Sequence, residues 1–160
     1  MTKRYTLLIA TLIMSLSMQA FTLVIDAGHG GKDPGAAGRK SKEKNINLAV
    51  ALELGRLVAK NCPDVKVVYT RKTDVFVELD ERARIANKAK ADLFISIHVN
   101  STAARVGPQG TETYTLGMHR AADNLEVAKR ENSVITLESN YEQRYEGFDR
   151  RAARATSSSS

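Results

Sequence analysis

The stretch FTLVIDAGHGG, residues 21–31, decides how this chain is read. Phe21 to Ile25 is a short, β-branched, nearly continuous apolar run, the pattern of a strand covered on both faces. The run stops at Asp26. Five glycines and a proline between Gly28 and Gly38 then rule out a regular element, so a loop leaves the carboxyl end of the strand.

Outward from this stretch the pattern repeats. Asn45 to Lys60 reads as an amphipathic helix, because Ile46, Val50, Leu54, Leu57 and Val58 recur at spacings of three and four and predict its inner face; Asn61 and Pro63 stop it. Val65 to Thr70 is a second strand. Leu79 to Lys90 is a second helix, with Leu79, Ala83, Ile85, Ala86 and Ala89 inward, and Leu93 to Val99 is a third buried strand. Two strand–helix–strand units in succession predict an α/β fold with parallel pairing and helices on both faces. Thr111 to Leu116 alternates like a strand nearer an edge, and a third helix is expected from His119 or Arg120 through Leu137. Residues 139–150 are polar with scattered aromatics, and 151–160 lack periodicity and end in four serines, a composition that builds no core.

The chain has 160 residues, 42% of them apolar and 26% charged, which suits one globular domain. The formal charge of +6 resides mostly in Lys3 and Arg4 at one end and Arg150, Arg151 and Arg154 at the other. The part between is close to neutral, so charge points to no nucleic-acid partner. One cysteine, Cys62, forms no internal disulfide and reads as structural filler. Residues 1–20 have the layout of an export signal: Lys3 and Arg4, an apolar stretch from Leu7 to Leu16, then small or polar residues to Ala20. That stretch is too short to span a bilayer permanently, so the expectation is a protein exported to the periplasm or the extracellular space.

Ligands of open parallel sheets bind beyond the carboxyl ends of the strands, where Gly28-His29-Gly30-Gly31 and His98-Val99-Asn100 both fall. Two of the three histidines thus occupy equivalent positions, as a metal requires of ligands far apart in sequence. Glu43, after the glycine loop, is the candidate third ligand. Two imidazoles and a carboxylate with an open fourth position is the pattern of catalytic zinc. A plainer reading competes: histidines at strand ends are usually hydrogen-bonded loop residues, and Glu43, among Lys40, Lys42 and Lys44, reads equally as a solvated carboxylate that the helix dipole favours. A phosphate-cradling loop fails on its own pattern, since Asp33 stands where a dinucleotide fingerprint needs glycine and no Gly-Lys-Ser/Thr ending exists.

The run Val24-Ile25-Asp26-Ala27-Gly28-His29-Gly30-Gly31 with Asp33-Pro34-Gly35, then Glu43-Lys44-Asn45 to Leu48, Thr70-Arg71, Leu79-Asp80-Glu81-Arg82, Ile85-Ala86-Asn87 and Phe94-Ile95-Ser96-Ile97-His98-Val99-Asn100, resembles the zinc-dependent N-acetylmuramoyl-L-alanine amidases of the amidase-3 type, over roughly residues 21 to 137. The resemblance implies a twisted, mainly parallel sheet flanked by helices, with His29, Glu43 and His98 as ligands of Zn2+. It also implies hydrolysis of the amide joining N-acetylmuramic acid to L-alanine, with peptidoglycan as partner and room for an activator protein. Domain boundaries follow as 1–20 signal peptide, 21–149 catalytic domain and 150–160 Arg/Ser tail. Asn100 and the loop glycines are expected along the substrate groove, and Arg71 and Arg82 in structural carboxylate pairs.

One part of the pattern is missing. The family carries its general-base glutamate on a late apolar strand, in a context like Leu-Val-Glu-x-Gly-Phe, and no such strand is present. Glu146 precedes Gly147-Phe148 but lacks the spacer and the apolar run; Glu112 and Glu138 have no better claim. Ala155-Thr156-Ser157-Ser158 can be encoded by bases that in another frame read Ser-Tyr-Ile-Ile, so the expectation is a sheet incomplete at its C-terminal end through frameshift or truncation. The rival reading is a non-catalytic, zinc-containing domain that binds peptidoglycan or a partner.

Overall fold

The computed structural model describes residues 20–100, 110–115 and 130–145. Strand β1 (Thr22–Ala27) is followed by helix α1 (Glu43–Asn61), β2 (Lys66–Tyr69), α2 (Leu79–Ala89) and β3 (Leu93–Ile97); a 3-10 turn (Ser133–Leu137) and a single helical turn, α3 (Tyr141–Arg144), come last. The sheet runs β2-β1-β3, with β1 central and both pairings parallel. Every residue of β1 is buried, as its unbroken apolar run predicts for a central parallel strand. This is the expected α/β architecture, a parallel sheet flanked by helices, except that β3 is not the buried strand expected: with β1 on one side only among the described residues, its Leu93 and Phe94 are exposed.

Side chains alternate across the sheet. Leu23, Ile25 and Ala27 point to α1 and pack with Ala51, flanked by Leu48, Leu54, Val58, Val67, Tyr69, Ile95 and Ile97. Val24 and Asp26 point the other way, where Arg82 of α2 meets Asp26 at 2.6 Å.

Spacing alone mispredicts the inner face of α1. Ile46, Val50 and Leu57 are exposed, while Glu43, Asn47, Ala51 and Gly55 turn to the sheet. The reason is steric: a helix lying close on a parallel sheet presents small residues, and a side chain at Gly55 would run into the Tyr69 hydroxyl. On α2, Ala83 is likewise exposed, and the buried residue is Arg82.

Of the expected strand from Thr111 to Leu116, residues 111–115 are described; they are exposed and not in strand conformation. Glu112 accepts hydrogen bonds from Asn100 and Tyr114, so its outward alternation serves these contacts. The expected third helix is described from residue 130, helical to 132 and then tightened into the 3-10 turn; its earlier part lies outside the described residues, as do the leader, Glu146 and the Arg/Ser tail. Polar residues after Leu137 do contribute burial. Glu138 and Tyr141 are both buried, Glu138 because it accepts the Leu79 N–H (2.7 Å) and the Tyr145 hydroxyl (2.9 Å) at the start of α2.

Candidate metal centre

β1 ends one residue before Gly28, where two guanidinium groups take over the carbonyls that leave the sheet. Arg71 donates to Ala27 O, Gly28 O and Lys44 O at 2.8–2.9 Å, and Arg82 to Ala27 O and His29 O at 2.9 and 3.0 Å. Arg82 thus pairs with the Asp26 carboxylate as expected, whereas Arg71 makes its hydrogen bonds to carbonyls. The chain then turns sharply: His29 has φ +61°, a left-handed conformation that costs a non-glycine residue about 1–2 kcal/mol and clusters at functional sites.

Asp33 holds His29 in place. Its carboxylate accepts from His29 Nδ1 at 2.7 Å and from the Gly35 N–H at 3.1 Å, and its backbone pairs with Gly30. Since a carboxylate only accepts, Nδ1 carries the proton and Nε2 is left to face the centre. Two glycines make the space: a Cβ at Gly28 would collide with the His98 ring, and one at Gly35 with the His29 ring and the Glu43 carboxylate.

Glu43 opens α1. The loop supplies the cap, as Ala36 O accepts the Glu43 N–H at 2.9 Å while Glu43 Oε2 accepts the Ala36 N–H at 2.9 Å. Oε1 accepts from the Val99 N–H (2.8 Å) and Asn47 Nδ2 (3.2 Å), which binds the helix start to the end of β3. The carboxylate is buried, so Glu43 is no solvated helix-start residue.

The structure brings His29, Glu43 and His98 together and adds a fourth group, Glu131. Glu43 Oε1 lies 3.2 Å from both His29 Nε2 and His98 Nδ1; Glu131 Oε2 lies 3.3 Å from His29 Nε2 and 2.9 Å from His98 Nδ1. The imidazoles stand nearly perpendicular, with centroids 4.9 Å apart. Tetrahedral ligands at the bond lengths zinc prefers are separated by roughly 3.3 Å, so this spacing suits one small ion. His29 Nε2 is buried without a hydrogen bond, although two carboxylate oxygens lie near it. An atom aimed at the middle of the group rather than at either oxygen fits a metal ligand.

Electrostatics hold the four groups together as charged pairs, so an ion bound by His29 and His98 has to displace a proton from the ligating nitrogen of each. Burial works to lower the pKa of His29, but Asp33, Glu131 and Glu43 overcome it and carry it up to about 11. Burial also opposes charge on His98, which Glu131 and Glu43 push up to about 9. Burial would raise both carboxylates, yet the close approach of the two imidazoles holds Glu43 and Glu131 well below the ordinary range.

A cavity of about 580 Å³ opens beside the group, walled by Leu79, Ala83, Phe94 and Val134, with His29, His98 and Glu131 at one end. Glu112 and Glu138 lie elsewhere. A second acidic group, Glu78, Asp80 and Glu138, is bridged by Arg144, which bonds Glu78 at 2.6 Å and also contacts Asp80. Asn100 bonds Glu112 and Arg130 at 2.8 Å each.

Glu131 was missed in the sequence, although a signal existed. Glu131, Val134, Ile135 and Glu138 are spaced i, i+3, i+4, i+7, and a carboxylate at each end of an inward helical stripe calls for a partner.

Comparisons with known proteins agree on one family. The profile of Amidase_3, N-acetylmuramoyl-L-alanine amidase, matches residues 23–157. A probable N-acetylmuramoyl-L-alanine amidase, AmiB, of Haemophilus influenzae is 40% identical over 121 residues, 74% of this chain and 28% of that protein. The endolysin of Bacillus phage SPP1 is 50% identical over 90 residues, 56% of this chain and 32% of the endolysin. Among solved structures, an N-acetylmuramoyl-L-alanine amidase from Clostridium difficile 630 superposes with a TM-score of 0.54 at 33% identity, covering 73% of this chain and 64% of that one. The chain therefore spans about a third or less of the length of these curated relatives.

Proposed function

The chain belongs to the N-acetylmuramoyl-L-alanine amidase family, and from that premise we propose that it is an exported, zinc-dependent peptidoglycan amidase in which His29, Glu43 and His98 hold the ion and Glu131 closes the fourth position. The observation that carries this reading is the convergence of four ligand atoms within 4.8 Å of one another around a buried, unbonded His29 Nε2. The substrate bond is the amide between N-acetylmuramic acid and L-alanine. Export rests on residues 1–20; no helix among the described residues is long and apolar enough to cross a membrane.

Zinc, when bound, supplies Lewis acidity for the scissile carbonyl and for a water molecule. The chain's own residues do the rest. Asp33 fixes the His29 tautomer, and the Val99 and Ala36 N–H groups fix Glu43. The cavity along α2 and β3 gives the substrate an apolar wall. A carboxylate must also move a proton from water to the leaving amine. Among the described residues, Glu43 and Glu131 are the carboxylates at the centre. Glu43 is fully engaged, and Glu131 stands where a substrate oxygen has to enter. Hydrolysis therefore requires Glu131 to withdraw, and without a positioned base it proceeds on the order of 10²- to 10⁴-fold more slowly.

That four-sided closure supports a second reading, a zinc-containing domain that holds peptidoglycan without cutting it. Release of stem peptides from purified sacculi separates the two. The amidase reading expects metal-dependent release that His29→Ala abolishes; binding to sacculi without release favours the second.

A further inference from the structure

We propose that Asn47 is a positioning residue for the metal centre, an inference that rests on the zinc reading above. Asn47 is fully buried, one of the three largest side chains with essentially no exposure, the others being Ile25 and Val24. A polar residue in that position needs a reason.

Its bonds supply one. Asn47 lies one turn after Glu43 on α1, and its Nδ2 donates to Glu43 Oε1 (3.2 Å) and to Gly28 O (3.3 Å). The first acceptor is the oxygen facing both histidines, and the second belongs to the residue before His29. One amide thus joins the helix that carries the carboxylate to the strand end that carries an imidazole. Reversing the amide would set its oxygen against two acceptors, so the orientation is fixed.

Stability does not account for this residue. Asn47 Oδ1 is buried without a partner, a cost that an apolar side chain of similar size would avoid. Nor does either acceptor depend on Asn47 for satisfaction, since Gly28 O also receives Arg71 and Glu43 Oε1 also receives the Val99 N–H. What Asn47 contributes is alignment: it pins Oε1 between the two imidazoles and sets the spacing of α1 from the β1 end.

The test uses the full chain and zinc itself. Asn47→Leu and Asn47→Ala are expected to bind zinc about 10- to 100-fold more weakly in chelator competition, the usual loss when such a supporting contact to a ligand is removed. They are also expected to change the visible spectrum of the cobalt-substituted centre, with the metal-free melting temperature of Asn47→Leu at or above wild type. Unchanged zinc affinity with an unchanged cobalt spectrum would overturn the proposal. If neither variant folds, the Asn47 side-chain amide resonances of the wild-type chain decide: a shift on adding zinc supports the role, and no shift overturns it. Absence of zinc binding by the wild type would instead defeat the metal reading itself, which separates the two failures.

Discussion

Glu131 Oε2 lies 2.9 Å from His98 Nδ1, although the two residues come from separate segments of the fold and nothing in the spacing of one announces the other. The contact completes a closed set of four side chains, and catalytic zinc sites ordinarily leave one position open. The segment bearing Glu131 is tied down at several points: Lys32 reaches the Leu137 carbonyl, Glu138 accepts the Leu79 N–H, and Arg144 bonds Glu78.

Glu131→Ala is therefore expected to open the centre. Zinc should remain on His29, Glu43 and His98 with reduced affinity, while release of soluble stem peptides from sacculi rises above the wild-type level. A fall of that release to the His29→Ala background, with zinc still bound, would show that Glu131 serves the chemistry instead of blocking it.

Asp33→Ala removes the acceptor that fixes His29 Nδ1 as the protonated nitrogen. Zinc affinity is expected to fall about 10- to 100-fold, with the far-ultraviolet circular dichroism unchanged. Equal affinity in both proteins would mean that the left-handed backbone at His29 orients the ring without help.

Gly28→Ala sets two costs against each other. The added methyl group meets the partly exposed His98 ring, which can give way only by leaving Glu43 and Glu131, so the clash is relieved at the expense of the metal and not of the fold. The expected result is weaker zinc binding by more than about tenfold, with unfolding free energy changed by less than about 1 kcal/mol. Chelator competition and urea denaturation measure the two.

Asp26 contributes to acid stability. Burial would raise its pKa, but Arg82, with the Ser96 and Thr70 hydroxyls, outweighs this and holds it below the ordinary value. A carboxyl that is more acidic in the folded chain favours folding when ionised. Its contribution is complete above the unfolded value of about 3.9 and is lost as pH falls through the lower folded value. Asp26→Asn should cost about 3–5 kcal/mol by leaving Arg82 buried without its partner. It should also flatten the dependence of stability on pH below about 4, as denaturation followed at several pH values would show.

Much of this was legible in the sequence because it is local. The unbroken apolar run of β1, the glycine loop and the helix periods are properties of short windows, and His29 and His98 are marked by lying just beyond strands. What was not legible depends on distance. The inner face of α1 is chosen by what the sheet admits, so Ala51 and Gly55 displace Ile46 and Val50, whose spacing is equally good. Residues 111–115 alternate, but alternation in one segment does not by itself make strand conformation, which depends on neighbours distant in sequence. Arg71 and Glu131 are defined by contacts across 43 and 102 residues, to Gly28 and His29 respectively, and only folding makes them.

Metal analysis of the purified chain tests the central claim most directly. The account predicts about one zinc ion per chain in the wild type, retained through gel filtration and lost from His29→Ala, Glu43→Ala and His98→Ala alike. A wild-type chain that folds yet takes up no stoichiometric zinc, or one whose zinc survives all three substitutions, would contradict it.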